Sequence, residues 1–410
     1  MKNSMMIHDL FSFSGDIMNG NGKSKSSSIE KSRTKILKIQ KTLNSLVIGR
    51  ETSVKLVLLS MIAKENMAII GPPGTAKSYL IRNLAKLLKA SIAMYQFHRH
   101  TRDVEVLGPF DVKKFVEEGE LIRKLSKLFK ADIAYLDEAF KASSAILNAL
   151  LSALQEHVIY DPLTGSELPV QTKFFIVTSN EVPQEEELQA LYDRFPVRDF
   201  VHYLDDDSLI LRALEARWLN NHSTTPVATW EDIETLSSYA QKIIQSSIKG
   251  LGKFIMLYHT STISFVKSLR TRGILVSDRT IIEKLPKLIA ANCALYGLTM
   301  DNITNAVIDF LPHLARDASE HEEIKKAIME ELGEVAELHE KLQRSKALAK
   351  AGNLSEAIKQ LREIIEFDMT KIAKKPWLKK RIEAIISEAN IMMRKYSEIL
   401  QTLKQMSENL

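Results

Sequence analysis

Short apolar runs alternate with helical periodicity through the first half of the chain. The runs are Met67–Ile70, Ile92–Tyr95, Ile133–Leu136, Phe174–Val177 and Phe200–Tyr203. Each has the length of a buried strand, and helical stretches separate them, which predicts βαβ units and a parallel sheet. Ahead of them, helical spacing starts near Ile29 and continues through Ile36, Leu37, Leu43, Leu46 and Val47. Residues 206–315 read as mostly helical. From about residue 320 the pattern is helical throughout. Leu332, Val335, Leu338 and Leu342 keep the spacing, Gly352-Asn353 breaks it, and Leu354–Ile372 resumes it. Lys375-Pro376 breaks it again before Trp377–Leu403, so the pattern predicts three antiparallel helices in a small bundle. Between Val158-Ile159 and Leu168–Val170 lies the turn cluster Tyr160–Gly165, which predicts a hairpin.

Length and composition narrow the class. The chain has 410 residues, 45% apolar and 26% charged, the usage of an ordinary globular protein of two or three domains. Its apolar stretch Leu56–Ala63 is far shorter than the roughly 20 residues that span a bilayer, and no signal peptide is expected. The single cysteine, Cys293, excludes an intrachain disulfide and a multi-cysteine metal site, and suits a reducing, cytoplasmic setting. Charge is uneven. Residues 1–50 hold nine Lys/Arg against three Asp/Glu, which leaves the remaining 360 residues at −1 of the overall +5. The body therefore lacks the global basic field of a duplex-binding surface. Gly20–Ser28 has the composition of a flexible linker, so residues 1–28 are expected to be a flexible basic segment, with Leu10, Phe11 and Phe13 as a short apolar patch.

Three motifs carry chemistry. Gly71-Pro72-Pro73-Gly74-Thr75-Ala76-Lys77-Ser78 follows the first apolar run and opens a helix, the context a phosphate-binding loop requires. Backbone N–H groups of residues 74–78 would wrap a phosphate at the helix N-terminus, Lys77 would neutralise its charge, and the Ser78 hydroxyl would ligate Mg²⁺. Ala76 stands where the pattern has its second glycine, which the backbone tolerates if φ there is negative. The run Ile133–Leu136 ends in Asp137-Glu138. Carboxylates at the C-terminal end of such a strand sit where ligands bind an open α/β sheet. Asp137 would hold the Mg²⁺ shell, and Glu138 would deprotonate an attacking water. Phe174–Val177 continues into Thr178-Ser179-Asn180, and Asn180 would hydrogen-bond that water and the terminal phosphate.

Together these motifs resemble the AAA+ ATPases, and within them the MoxR family, closest to its RavA branch. The stretches that carry the resemblance are Gly71–Ser78, Val106–Pro109, Leu136–Ala139, Ala145–Leu151, Thr178–Glu181, Leu191–Phe195 and Val276–Arg279, spread over about residues 35–315. The family's loop often carries alanine at the position of Ala76. The resemblance implies an α/β P-loop AAA+ core, a parallel sheet flanked by helices, followed by an all-α lid and a C-terminal helical bundle. The expected boundaries are 1–28 for the basic segment, 29–204 for the core, 205–318 for the lid and 319–410 for the bundle. It implies ATP and Mg²⁺ as ligands, with Ile48 and Gly49 at the adenine and Tyr79 beside the phosphate loop. Arg194 matches the arginine finger that reaches the nucleotide of a neighbouring subunit, with Arg198 as the alternative, and Arg279 matches the sensor 2 arginine of the lid.

The implied activity is ATP hydrolysis in a hexameric ring that remodels another protein in a chaperone-like role. The implied partner is a protein with a von Willebrand A domain. The segments 98–132 and 157–172 fit the family's insertions, which face the ring pore or the partner. A DNA-directed motor or loader using the basic head is the alternative, which the near-neutral body and the lack of a DNA-binding motif disfavour. Neither membrane insertion nor nucleic-acid binding is expected.

Overall fold

The computed structural model describes residues 22–218 except 162, residues 225–248, residue 258 and residues 262–408 except 264, 265, 268, 275, 298–305, 332, 351, 352 and 373–375. Leu10, Phe11, Phe13 and the rest of residues 1–21 lie outside the described residues.

Helix α1 (Gly22–Leu46) begins inside the segment expected to be a linker. Its apolar stripe decides this: Ile36, Ile39 and Leu43 are at most 1% exposed, so tertiary burial stabilises the helix. Helix α2 (Glu51–Ala63) leads into strand β1 (Met67–Ile70) and helix α3 (Lys77–Leu87). Strand β2 (Ile92–Gln96) follows, then the short helices α4 (Asp103–Leu107) and α5 (Val112–Glu118) of the first insertion. Strand β3 (Ile133–Asp137) precedes helix α6 (Ser144–Glu156). Strands β4 (Val158–Tyr160) and β5 (Glu167–Pro169) pair antiparallel as the hairpin of the second insertion. Strand β6 (Phe174–Ser179), helix α7 (Glu186–Tyr192) and strand β7 (Val197–Phe200) complete the α/β core.

The sheet has the order β2-β3-β6-β1-β7, and every neighbour pair is parallel. Central strands of a parallel sheet are covered on both faces, which is why β1 and β6 are buried at every residue and read as unbroken apolar runs. One face packs into a cluster that includes Phe97, Phe129, Leu136, Ile146, Leu150 and Phe175. Each such side chain contributes about 1.5–3 kcal/mol by leaving water.

The last strand departs from its expected position, Phe200–Tyr203. It runs over Val197–Phe200, with Ile70 opposite Phe200, while His202 and Tyr203 are exposed. Arg198 and Asp199 hide it from a hydrophobicity reading, yet both are 4% exposed. Each is satisfied: the Ser53 hydroxyl donates to Asp199 at 2.5 Å, and Arg198 Nε donates to the Phe195 carbonyl at 3.1 Å.

Beyond the core come helices α8 (Asp207–Trp218), α9 (Trp230–Ile248) and α10 (Leu285–Tyr296), then α11 (Ala318–Glu331), α12 (Gly333–Lys350), α13 (Leu354–Ile365) and α14 (Pro376–Glu408). The chain divides into two compact units. One holds the residues up to 243 with 290–297, the other residues 244–289 and 298–410. Residues 205–243, expected with the lid, thus group with the α/β core. Asp232 of α9 shows why: it accepts from the Ser32 hydroxyl at 2.8 Å and pairs with Lys35 at 3.0 Å, both on α1. Within the second unit, α12, α13 and α14 pack on one another. No helix among the described residues is long and apolar enough to cross a membrane.

Candidate active site

Register brings the three motifs to one edge. Ile70 lies opposite Ser179, and Asp137 lies opposite Thr178, so the C-terminal ends of β3, β6 and β1 stand side by side. The phosphate-loop candidate, the Asp137-Glu138 pair and Asn180 all leave the sheet there, as ligand sites of open α/β sheets require.

The loop is braced at both ends. Gly71 N–H donates to the Ser179 carbonyl at 3.0 Å. A Cβ on Gly71 would stand 2.1 Å from the Val201 carbonyl oxygen, so only glycine fits. Thr75 Oγ1 donates to the Pro72 carbonyl at 2.9 Å. Gly74 has φ +80° with open space around it, which leaves room for a ligand against the backbone. Ala76 has φ +64°, contrary to the negative φ expected from its side chain. The left-handed turn at residue 76 aims the loop into α3, and the alanine accepts a strain of about 1–2 kcal/mol to make it.

Lys77 opens α3 with its ammonium turned back into the loop, donating to the Gly71 carbonyl and to that of Pro72 at 3.0 Å. Its pKa is lowered, first by burial and also by Arg50, while Asp137 and Glu138 oppose the shift. The cation and the two carboxylates therefore belong to one electrostatic group. Ser78 and Tyr79 follow in the first turn of α3, both exposed, with the Arg217 guanidinium 6.0 Å from the Tyr79 ring centre.

Asp137 accepts from the Thr178 hydroxyl at 2.7 Å. Tyr135, its hydroxyl 3.0 Å from the same Thr178 oxygen, has its pKa pushed up to about 12 by burial. Glu138 donates its backbone N–H to the Thr178 carbonyl at 2.8 Å, takes φ +55°, and pairs its carboxylate with Lys141 at 3.2 Å. The left-handed residue ends the strand. Asn180 is exposed, one residue past β6. The donor set is that of a phosphate and divalent-cation site: one ammonium, two carboxylates, a hydroxyl at residue 78 and a loop with open backbone.

Ile48 and Gly49 are half-buried between α1 and α2, and Gly49 has φ +72° with Leu204 packed against it. Arg50, beside them, was not singled out by its chemistry in the sequence. Its Nε donates to the Thr75 carbonyl at 3.1 Å, Nη1 to the Gly49 carbonyl at 2.8 Å and Nη2 to the His202 carbonyl at 2.5 Å. One guanidinium thus ties the adenine-side segment to the phosphate loop and to the chain leaving β7. Its sequence signal is its place at the end of Val47-Ile48-Gly49-Arg50, which resembles the short motif that lines the adenine pocket.

The arginines separate by environment. Arg198 is consumed internally: it donates to the Phe195 and Tyr192 carbonyls, pairs with Asp193 at 3.3 Å and stacks 4.0 Å from the Tyr192 ring centre. Arg198 is thus buried and partnered within its own chain. Arg194 is half-buried with the Gln155 amide against its Nε and Nη2, and the amide orientation that satisfies both residues turns the Gln155 oxygen to accept from them. Arg279 belongs to the second unit, is exposed, and pairs with Glu283 at 3.2 Å.

Comparisons with known proteins agree with this geometry. The sequence profile of the MoxR domain found in MoxR-vWA-beta-propeller ternary systems matches residues 34–238. An uncharacterised protein of Methanocaldococcus jannaschii is 31% identical over 278 residues, 68% of this chain and 70% of that protein. The chaperone MoxR1 of Mycobacterium tuberculosis is 22% identical over 162 residues, 38% of this chain and 42% of that protein. Among solved structures, a putative ATPase from Cytophaga hutchinsonii shares the fold with a TM-score of 0.55 at 19% identity, covering 71% of this chain and 90% of that one. With half of its length matched by that profile and its motifs assembled at one sheet edge, the chain belongs to the MoxR family of AAA+ ATPases.

Proposed function

We propose that this chain hydrolyses ATP at the junctions of a hexameric ring and uses the energy to remodel a partner protein, as a cytoplasmic, RavA-like member of its family. The observation that carries this reading is the grouping of Lys77, Asp137 and Glu138 at one sheet edge, with Arg194 held at the surface elsewhere. In this reading Ile48 and Gly49 line the adenine, Pro72 and Pro73 shape the loop, and backbone N–H groups from Gly74, Thr75, Ala76, Lys77, Ser78 and Tyr79 surround the phosphates. The two prolines supply shape only, since they have no N–H. Ser78 and Asp137 hold Mg²⁺, which when bound neutralises phosphate charge. Glu138 takes a proton from the attacking water, and Asn180 orients that water. Arg194 meets the terminal phosphate bound by the neighbouring subunit, and Arg279 is the sensor 2 candidate.

A von Willebrand A domain protein is the proposed partner, supported by the ternary systems named for the matching domain. The near-neutral body disfavours a DNA-directed reading, while Lys31, Lys38 and Lys41 of α1 are exposed. On the same helix, Lys35 pairs with Asp232 and Arg33 donates to the Ala294 carbonyl at 3.0 Å.

The test is Glu138→Gln. It should leave ATP binding intact and lower hydrolysis by about 10²-fold or more, the range for a lost positioned base. Near-normal turnover would show that the base lies elsewhere.

A further inference from the structure

We infer that Gln155 is the positioning residue of Arg194, holding the guanidinium ready for the neighbouring subunit's nucleotide. The inference rests on reading Arg194 as the residue that acts in trans. Its backbone is anchored: Leu191 and Phe195 on either side are fully buried, and Arg194 N–H donates to the Leu191 carbonyl at 3.0 Å. The side chain is not buried with them. Left free, it would sample many rotamers and lose that freedom on each encounter with phosphate. Gln155, exposed on the last turn of α6, prevents this.

The chemistry of the contact favours a holder over a competitor. Nε and Nη2 form one edge of the guanidinium, and the Gln155 oxygen takes that edge. The other edge, Nη1 with the second Nη2 proton, is left for a forked contact with phosphate oxygens. A neutral amide orients the cation without cancelling its charge, whereas a carboxylate would compete with the phosphate. The contrast with Arg198 is direct. There a carboxylate, two carbonyls and an aromatic ring occupy the guanidinium from several sides.

The position of Gln155 adds a consequence. Helix α6 starts at Ser144, six residues after Glu138, and ends at Glu156, one residue beyond Gln155. The residue after it, His157 at φ +54°, turns the chain directly into β4 of the hairpin. That hairpin is fixed in turn to the first insertion by the fully buried pair Arg123 and Asp161, 2.6 Å apart. Helix α6 therefore runs from the segment after Glu138 to the hairpin, and Gln155 stands at its hairpin end beside Arg194.

The experiment is Gln155→Ala in the full chain, compared with Arg194→Ala and the double variant. Gln155 is exposed, so its truncation leaves no cavity. Turnover should fall roughly ten- to hundredfold, the scale for a displaced catalytic group, while nucleotide affinity stays within about twofold. In the Arg194→Ala background the same truncation should cost nothing further. Mixing Gln155→Ala with Glu138→Gln subunits should restore partial turnover, because some junctions then pair an intact Glu138 with an intact Gln155 and Arg194. Unchanged turnover in Gln155→Ala would overturn the inference. An equal fall in both backgrounds, or no recovery on mixing, would overturn it too, since the damage would then lie in the subunit's own site. If Arg194→Ala alone turns over like wild type, the trans reading of Arg194 is wrong and the inference falls with it.

Discussion

The phosphate-loop edge of the sheet and the bundle of α12, α13 and α14 use charge in opposite ways. At the sheet edge each charged side chain has several fixed partners: Arg50 binds three carbonyls, and Lys77 two, with Asp137 and Glu138 beside it. In the bundle the ion pairs lie on the solvated rim, within a helix for Lys359 with Glu356 at 3.6 Å and between helices for Lys341 with Glu363 at 3.0 Å and Lys346 with Glu388 at 2.8 Å. Pairs of that kind are worth a few tenths of a kcal/mol. The bundle is held by Leu338, Leu342, Leu361, Ile364 and Ile382, all nearly or fully buried. Charge at the sheet edge is arranged for a ligand, whereas charge on the bundle keeps exposed faces wet. Truncation should therefore separate the two regions by which observable moves.

The largest expected effect is on stability in the bundle. Leu361→Ala removes a fully buried side chain from α13 and should cost about 2–5 kcal/mol in denaturant unfolding, with nucleotide affinity of the folded protein unchanged. A loss of nucleotide affinity without loss of stability would break the division. Next comes Lys77→Ala, the mirror image. It should weaken nucleotide binding by roughly ten- to hundredfold, as expected when a charged donor is removed, with the unfolding midpoint nearly unmoved. Unchanged affinity would remove the phosphate-loop assignment.

A third prediction concerns pH. His321 on α11 is buried against His313, donates its Nδ1–H to the Pro312 carbonyl at 2.7 Å, and has its pKa lowered to about 4 from 6.5. Burial is the main cause; His313 and Lys325 add to it, and the Pro312 carbonyl and Glu322 oppose it. The unfolded chain takes up this proton first, so the stabilisation is complete above about pH 6.5 and declines as pH falls towards 4. The slope from this one group is at most about 1.4 kcal/mol per pH unit. Unfolding at pH 7 and pH 5 should show the decline, and His321→Gln should flatten it. The smallest effect is Ala76→Gly. Relief of the left-handed strain, less the added freedom of the unfolded glycine, should stabilise the chain by about 0.5 kcal/mol, read as a shift in denaturant midpoint at constant slope.

Residues adjacent in the chain accounted for much of the candidate site. A strand, a Gly-rich loop and a helix in immediate succession imply where Lys77 and Ser78 stand, because the geometry is local. An apolar run ending in Asp137-Glu138 likewise implies carboxylates at a strand end, and β1, β2, β3 and β6 were legible from their runs. The fifth strand was not, because its two charges, Arg198 and Asp199, are buried through partners that a hydrophobicity pattern cannot show. Nor was the helical start at Gly22, where composition pointed to a linker and tertiary burial of the same helix prevailed.

Period and adjacency by themselves determined the parallel sheet, the helical C-terminal region and the phosphate-loop motif, since strand, helix and turn preferences act over a few residues. Only the tertiary structure decided the partners of each charge. Register places Thr178 on Asp137, the turn between α1 and α2 brings Arg50 to Thr75 and His202, and the packing of α6 against α7 sets Gln155 beside Arg194 while Arg198, four residues on, turns inward. Those contacts join residues between 25 and 152 positions apart in the case of Arg50. Nothing local selects them; they follow from strand order and crossovers, which bring distant segments within hydrogen-bonding distance.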